Sequence, residues 1–174
     1  FTQAEAVFAP CAGAALYRRN FLEEMGGFDA HFFAYLEDID LALRGHLVGY
    51  EFLFVPEAEV LHKGHGSAMP QAAYVRAITR NRLLLFLKNI PLHLLVRRMG
   101  HLLYGQLYFA IAYRRPLTML TGYWDLLGLL PHIVKTHRWM RGHITISVDD
   151  LDVLLTRKTG EPPLRNLLWK RLGR

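Results

Sequence analysis

The chain has 174 residues, 52% of them apolar and 21% charged, and a formal charge of +6. Such a chain can bury a core, so wholesale disorder and collagen-like repeats are excluded. A single cysteine, Cys11, excludes an internal disulfide framework and a cysteine-rich zinc site.

Residues 6–17 are small and apolar, and predict a short buried strand followed by a turn around Pro10 and Gly13. Residues 18–25 predict a short helix stopped by Gly26-Gly27, because glycine enters the left-handed conformation without steric penalty. Phe28 to Tyr35 is aromatic and irregular. Residues 37–48 predict a helix with acids in its first turn and Gly49 as its stop. Tyr50 to Val55 alternates and predicts a strand broken by Pro56, with a second short strand over Ala58 to Leu61. Residues 63–70 predict a loop. Long helices follow over 71–90 and 92–115, each ended by a proline, and a third helical segment over 117–140 breaks near Pro131. Ile144 to Val148 predicts a short strand, 156–163 a linker and 164–172 a short basic helix.

The net charge hides an asymmetry. Residues 1–62 hold three basic and ten acidic side chains, or −7, and residues 63–174 hold 18 basic and five acidic ones, or +13. An acidic first third suits metal or sugar chemistry. A basic, leucine-rich remainder suits an anionic membrane surface. Nucleic acid is disfavoured as a partner, because these cations alternate with leucine runs and match no nucleic-acid motif.

The densest chemical signal runs from Gly26-Gly27-Phe28-Asp29 through Phe32, Phe33 and Tyr35 to Glu37-Asp38-Ile39-Asp40 and Arg44. Three carboxylates crowded into one helix start repel one another, which folding alone seldom requires. One reading is local: each acid gains about 0.3–1 kcal/mol from the helix macrodipole, and Asp40 pairs with Arg44 one turn on. The other is a general base at a helix start beside an aromatic wall, an arrangement suited to carbohydrate, whose rings present C–H faces to aromatics and hydroxyls to carboxylates. His62 ends the last short strand and enters a glycine-rich loop, where it reads either as structural or as one ligand of a metal that needs carboxylates from elsewhere.

In order, G-A-A-L-Y-R-R (13–19), G-G-F-D (26–29), F-F-x-Y-x-E-D-x-D-L-x-x-R (32–44), G-Y (49–50), V-P (55–56) and V-L-H-K-G-H-G-S (60–67) resemble the C-terminal half of a family 2 glycosyltransferase. The likeness is to the bacterial rhamnosyltransferase and galactofuranosyltransferase branch. It covers about residues 6–90, including Arg80-Asn81. The resemblance implies an α/β fold, the acceptor-side half of a GT-A domain, and inverting transfer from a nucleotide sugar. It implies Asp38 as the catalytic base, Glu37 with Phe33 and Tyr35 at the acceptor, and His62 on a divalent metal, Mg²⁺ or Mn²⁺. Asp40 and Arg44 read as structural support. The family's aspartate-x-aspartate motif and nucleotide-binding strands are expected upstream of this segment, so the chain reads as a piece of a longer enzyme that binds its donor poorly alone. Asp150-x-Asp152 lies too far downstream to serve and reads as a solvated turn.

These readings divide the chain into an acceptor-side catalytic part (1–70), a mostly helical, membrane-associating part (71–143) and a short tail (144–174). Met99 to Tyr113 is 15 residues, about 22 Å of helix against about 30 Å of hydrocarbon. Spanning would also place arginine pairs on opposite sides, against the positive-inside bias. Helices in the interface on the cytoplasmic membrane face fit the cations better, with a packed subdomain or a re-entrant or spanning hairpin as alternatives. The expected partners are a nucleotide-sugar donor, a glycan or lipid-linked acceptor and an anionic membrane surface. The rival function is a non-catalytic membrane-docking module on a transferase-like scaffold.

Overall fold

The computed structural model describes residues 2–61 and 69–158. Strand β1 (Glu5–Val7) pairs antiparallel with β2 (Phe52–Phe54), Ala6 opposite Leu53. This two-stranded ribbon is the whole of the sheet among the described residues. Around it lie α1 (Arg19–Met25), α2 (Glu37–Leu47), α3 (Gln71–Asn89), α4 (Leu92–Tyr113), α5 (Pro116–Gly128), α6 (Leu130–Arg141) and α7 (Val148–Lys158).

Local chemistry explains most of these bounds. Gly26 leaves α1 at φ +71°, and the Gly27 N–H closes the end on the Leu22 carbonyl at 2.8 Å. Pro91 precedes α4, and prolines occupy the first turns of α5 and α6, where the missing N–H has no helical acceptor to lose. The break between α5 and α6 falls at Leu129, two residues before Pro131.

The main core gathers Phe32, Leu43 and Leu47 from the first part with Leu84, Ile90, Leu94, Leu126 and Met140 from the helices. It therefore runs continuously across residue 70. Each such side chain contributes about 1.5–3 kcal/mol when fully buried. Helix α5 lies so close to α3 that a Cβ on Gly122 would come within 2.7 Å of the Arg76 carbonyl oxygen.

Four sequence expectations are corrected. The N-terminal strand is not buried: Glu5 and Ala6 are exposed on an edge, and 12–14 form a 3-10 turn. Ala58 to Leu61 forms no strand. Residues 144–147 form no strand either, and the supposed turn at 149–152 is the start of α7. Ser147 Oγ accepts the Asp150 N–H at 3.1 Å and donates to the Asp150 carboxylate at 2.6 Å, a capping arrangement that starts the helix. Leu151 and Leu155 then bury into the main core, and Asp152 pairs with Arg98 at 2.6 Å. Helix α4 buries Leu94, Leu95 and Phe109, whereas its Val96, Leu103 and Leu107 face solvent. Among the described residues, no helix is long and apolar enough to cross a membrane.

Candidate functional site

The segment from Gly26 to Asp40 is held by buried charge. Asp40 is fully buried, and its carboxylate accepts from Arg44 Nε at 3.0 Å, Lys88 Nζ at 2.9 Å and Asn89 Nδ2 at 2.7 Å. The Arg44 guanidinium also donates to the carbonyls of Met25 and Gly27, which locks the glycine turn against α2. Lys88 reaches Asp29 as well, at 2.5 Å. Two acids and two bases thus neutralise one another away from water, the condition under which buried ions are tolerated. Burial alone would raise the Asp29 pKa. The Lys88 hydrogen bond and charge, helped by His132 and the His31 N–H, instead hold it well below the ordinary carboxylate range.

Between Asp29 and α2 the backbone is strained. Phe33, Tyr35 and Leu36 have φ of 61°, 69° and 70°, values that side chains other than glycine seldom adopt. Helix α3 holds them there. Asn81, fully buried, directs Nδ2 at the carbonyls of Phe32, Ala34 and Tyr35 within 3.0 Å, and Arg80 donates to Phe32 O at 2.9 Å. The strained loop delivers Leu36 as the N-cap of α2 and so fixes where Glu37 and Asp38 begin.

Asp38 accepts the Ala12 N–H at 3.2 Å through Oδ2 and the Ile39 N–H at 2.8 Å through Oδ1. Beside it, Glu37 Oε2 and the Tyr17 hydroxyl are buried without a hydrogen-bond partner among the described residues. Burial, followed by the nearby charges of Asp38, Cys11 and Glu37, raises the Tyr17 pKa. Tyr17, Glu37 and Asp38 therefore converge. Two unpartnered buried oxygens beside a half-buried carboxylate are expensive in a folded protein, and such a group suits a hydroxyl-bearing ligand.

The aromatic residues are divided. Phe32 is fully buried in the main core, which corrects its reading as part of an acceptor wall. Tyr35 packs edge-on against Tyr74, ring centroids 4.9 Å apart, in a second apolar cluster with Val75 and Phe109. Phe33 is 83% exposed and borders an open cleft of about 730 Å³ with Arg76, Arg80, Trp124 and Asp125. Glu37 and Asp38 do not line that cleft. His62 lies outside the described residues.

A 63-residue stretch is 41% identical to an N-acetylglucosaminyl-diphospho-decaprenol L-rhamnosyltransferase found in two strains of Mycobacterium tuberculosis, covering 36% of this chain and 20% of that protein. A 56-residue stretch is 41% identical to rhamnosyltransferase WbbL of Escherichia coli, covering 32% of this chain and 21% of the relative. Over that part, the chain is related to glycosyltransferases. The match spans about a fifth of each relative. No family model and no solved structure matches the chain.

Sequence reasoning misses four contributors. Tyr17 lies inside the G-A-A-L-Y-R-R motif, which gives it no role of its own. Lys88 and Asn89 were read as part of an ordinary helix end, although a lysine in a leucine-rich stretch ahead of a proline stop was a signal for a buried partner. Asn81 was noted only as part of the resemblance.

Proposed function

We propose that the chain is the acceptor-side part of an inverting glycosyltransferase, a GT-A enzyme of family 2, that passes a sugar from a nucleotide sugar to a lipid-linked or cell-envelope glycan. The observation that carries this is the Glu37–Asp38 pair at the start of α2, with Glu37 Oε2 and the Tyr17 hydroxyl buried and unpartnered beside it. The rhamnosyltransferase relatives support sugar transfer in general.

In this reading Asp38 takes the proton of the acceptor hydroxyl while that oxygen attacks the anomeric carbon. The bond from that carbon to the diphosphate oxygen breaks, and the configuration inverts. A hydroxyl is a poor nucleophile until its proton is removed, so a positioned carboxylate contributes typically 10²–10⁴-fold. The Ala12 and Ile39 N–H groups orient the Asp38 carboxylate. Glu37 orients the acceptor. Phe33, on the open cleft that Glu37 and Asp38 do not line, and Tyr35, packed on Tyr74, would border it only farther from the base. Asp40 and Arg44 act through the fold.

A divalent cation, Mg²⁺ or Mn²⁺, would neutralise the leaving diphosphate. Glu37 and Asp38 join no third ligand group among the described residues, and the metal role of His62 falls outside them, so the described residues do not fit a complete catalytic metal site. No step here runs through the ion.

The helical part supports peripheral binding to an anionic membrane on its cytoplasmic face. Helix α5 exposes Leu117, Leu120, Trp124 and Leu127 at helical spacing, next to Arg114 and Arg115. The non-catalytic docking module is the alternative that this surface alone would favour.

The test is transfer. The intact protein, given a nucleoside-diphosphate-activated rhamnose and a polyprenyl-diphosphate sugar, should release nucleoside diphosphate and form a product of inverted anomeric configuration by NMR. Vesicle binding without transfer, across a panel of nucleotide sugars, would favour the docking module.

A further inference from the structure

A second cluster lies apart from the carboxylate pair. Asp29 caps its own 3-10 turn, accepting the His31 N–H at 3.0 Å, and this turns the His31 ring back so that Nδ1 sits 2.8 Å from Asp29 Oδ1. From α6, more than a hundred residues away in sequence, His132 brings Nε2 to 2.8 Å from Asp29 Oδ2. The two imidazoles stack, centroids 3.8 Å apart and 22° from parallel. One candidate ligand atom from each of the three residues lies within 4.8 Å of the others.

The structural task of Asp29 is already met by Lys88. That ion pair explains neither histidine. Nor does packing: His31 is 44% exposed and His132 24%, so the rings meet at a solvent-facing edge, whereas Asp29 is only 10% exposed. An anchored carboxylate below two reachable imidazoles is an arrangement with an entry path for an ion.

We propose that Asp29, His31 and His132 form a binding site for a zinc-like transition-metal ion, held by two imidazole nitrogens and one carboxylate oxygen. Two nitrogens and one oxygen suit Zn²⁺, Co²⁺ or Ni²⁺, and leave a fourth position to water. Mg²⁺ prefers an all-oxygen shell and does not compete. Metal–ligand bonds of about 2.0–2.1 Å place tetrahedral ligand atoms about 3.3 Å apart. The 2.8 Å contact of His31 Nδ1 with Oδ1 therefore needs to open by only about half an ångström, and His132 Nε2, now 2.8 Å from Oδ2, turns from that oxygen to the ion. Each neutral ring then carries its proton on the nitrogen facing away from the ion. Lys88 stays on Oδ2, its charge shared with Asp40, and leaves Oδ1 for the ion. Because Lys88 and Arg44 already balance Asp29 and Asp40, the affinity is expected to be lower than at a site whose carboxylate has no cation beside it.

The site joins the loop ahead of α2 to α6, so an ion there ties the acidic part of the molecule to the helical part. It involves neither Glu37 nor Asp38, and it stands whatever the fate of the transferase reading.

Isothermal titration of the intact, tag-free protein with ZnCl₂, and with CoCl₂ followed by visible absorption, tests it. The expected result is one saturable site, unaffected by excess Mg²⁺, with a Zn²⁺-dependent rise in melting temperature. His31→Ala and His132→Ala should each lower the affinity at least about tenfold, the smaller effect seen when only a ligand's supporting partner is lost. His101→Ala, on the exposed surface of α4, should leave it unchanged. Each variant is compared at its own metal-free melting temperature, and His132→Gln replaces His132→Ala if the latter does not fold. No saturable site in the wild type, or undiminished affinity after loss of either histidine, would overturn the proposal.

Discussion

The loop and helix from Gly26 to Leu47 and the helices from Leu92 to Arg141 share one core but are built in opposite ways. In the first, positions are set by polar and ionic groups taken out of water: Asp40, Arg44, Lys88 and Asn81 are all buried, and each holds backbone or another charge. In the second, close apolar contact sets most positions, ion pairs such as Arg76–Asp125 and Arg98–Asp152 are partly exposed, and whole stripes of leucine and valine remain at the surface. Charge burial is costly and directional, so it specifies one conformation. It serves here to keep three positive-φ residues in place ahead of Glu37. Apolar packing tolerates change more readily, and it leaves α5 an exposed apolar face.

This contrast can be broken first at Lys88. Lys88→Met leaves two carboxylates, one of them fully buried, without their shared cation, and should cost about 3–5 kcal/mol in urea unfolding. A change under about 1 kcal/mol would mean that the ionic cluster does not hold the loop. The acid response should change with it. The Asp29 pKa is depressed in the fold, so its stabilisation is complete above the unfolded value of about 3.9 and is lost as pH falls through the lower folded value. Wild-type stability should therefore fall steeply in acid, and Lys88→Met should flatten that fall.

A smaller effect is expected in the helical part. Gly122→Ala pushes a Cβ against the Arg76 carbonyl at 2.7 Å and should cost about 1–3 kcal/mol, with α5 displaced from α3. Near-neutral behaviour would show that this contact relaxes freely. The smallest stability change belongs to Trp124→Ala, whose ring is 76% exposed: about 0.5 kcal/mol or less. That variant should nonetheless weaken flotation with anionic vesicles. Equal flotation would remove Trp124 from the membrane face, and no flotation by the wild type would remove the face itself.

Much of this was legible in the sequence. Gly26-Gly27 announced the end of α1, the prolines announced the helix ends, and the spacing of Asp40 and Arg44 announced their pair. What sequence could not supply was long-range pairing. Lys88 lies 48 residues from Asp40 and His132 lies 103 from Asp29, and no local period encodes such contacts. The start of α7 was misread because Ser147 and Asp150 resemble a turn as much as a cap. Only the burial of Leu151 and Leu155 decides between them. Phe32 and Phe33 are adjacent and chemically identical, yet one is core and the other surface, because the backbone reverses into positive φ between them.

Turnover of an Asp38 variant is the direct test of the proposed base. Asp38→Asn in the intact protein keeps one oxygen to accept from either the Ala12 or the Ile39 N–H and leaves the other without its acceptor, so it should fold with a loss of about 1 kcal/mol. Its kcat for sugar transfer should fall by about 10²–10⁴-fold. A folded Asp38→Asn protein with kcat near that of the wild type would contradict the assignment of the base.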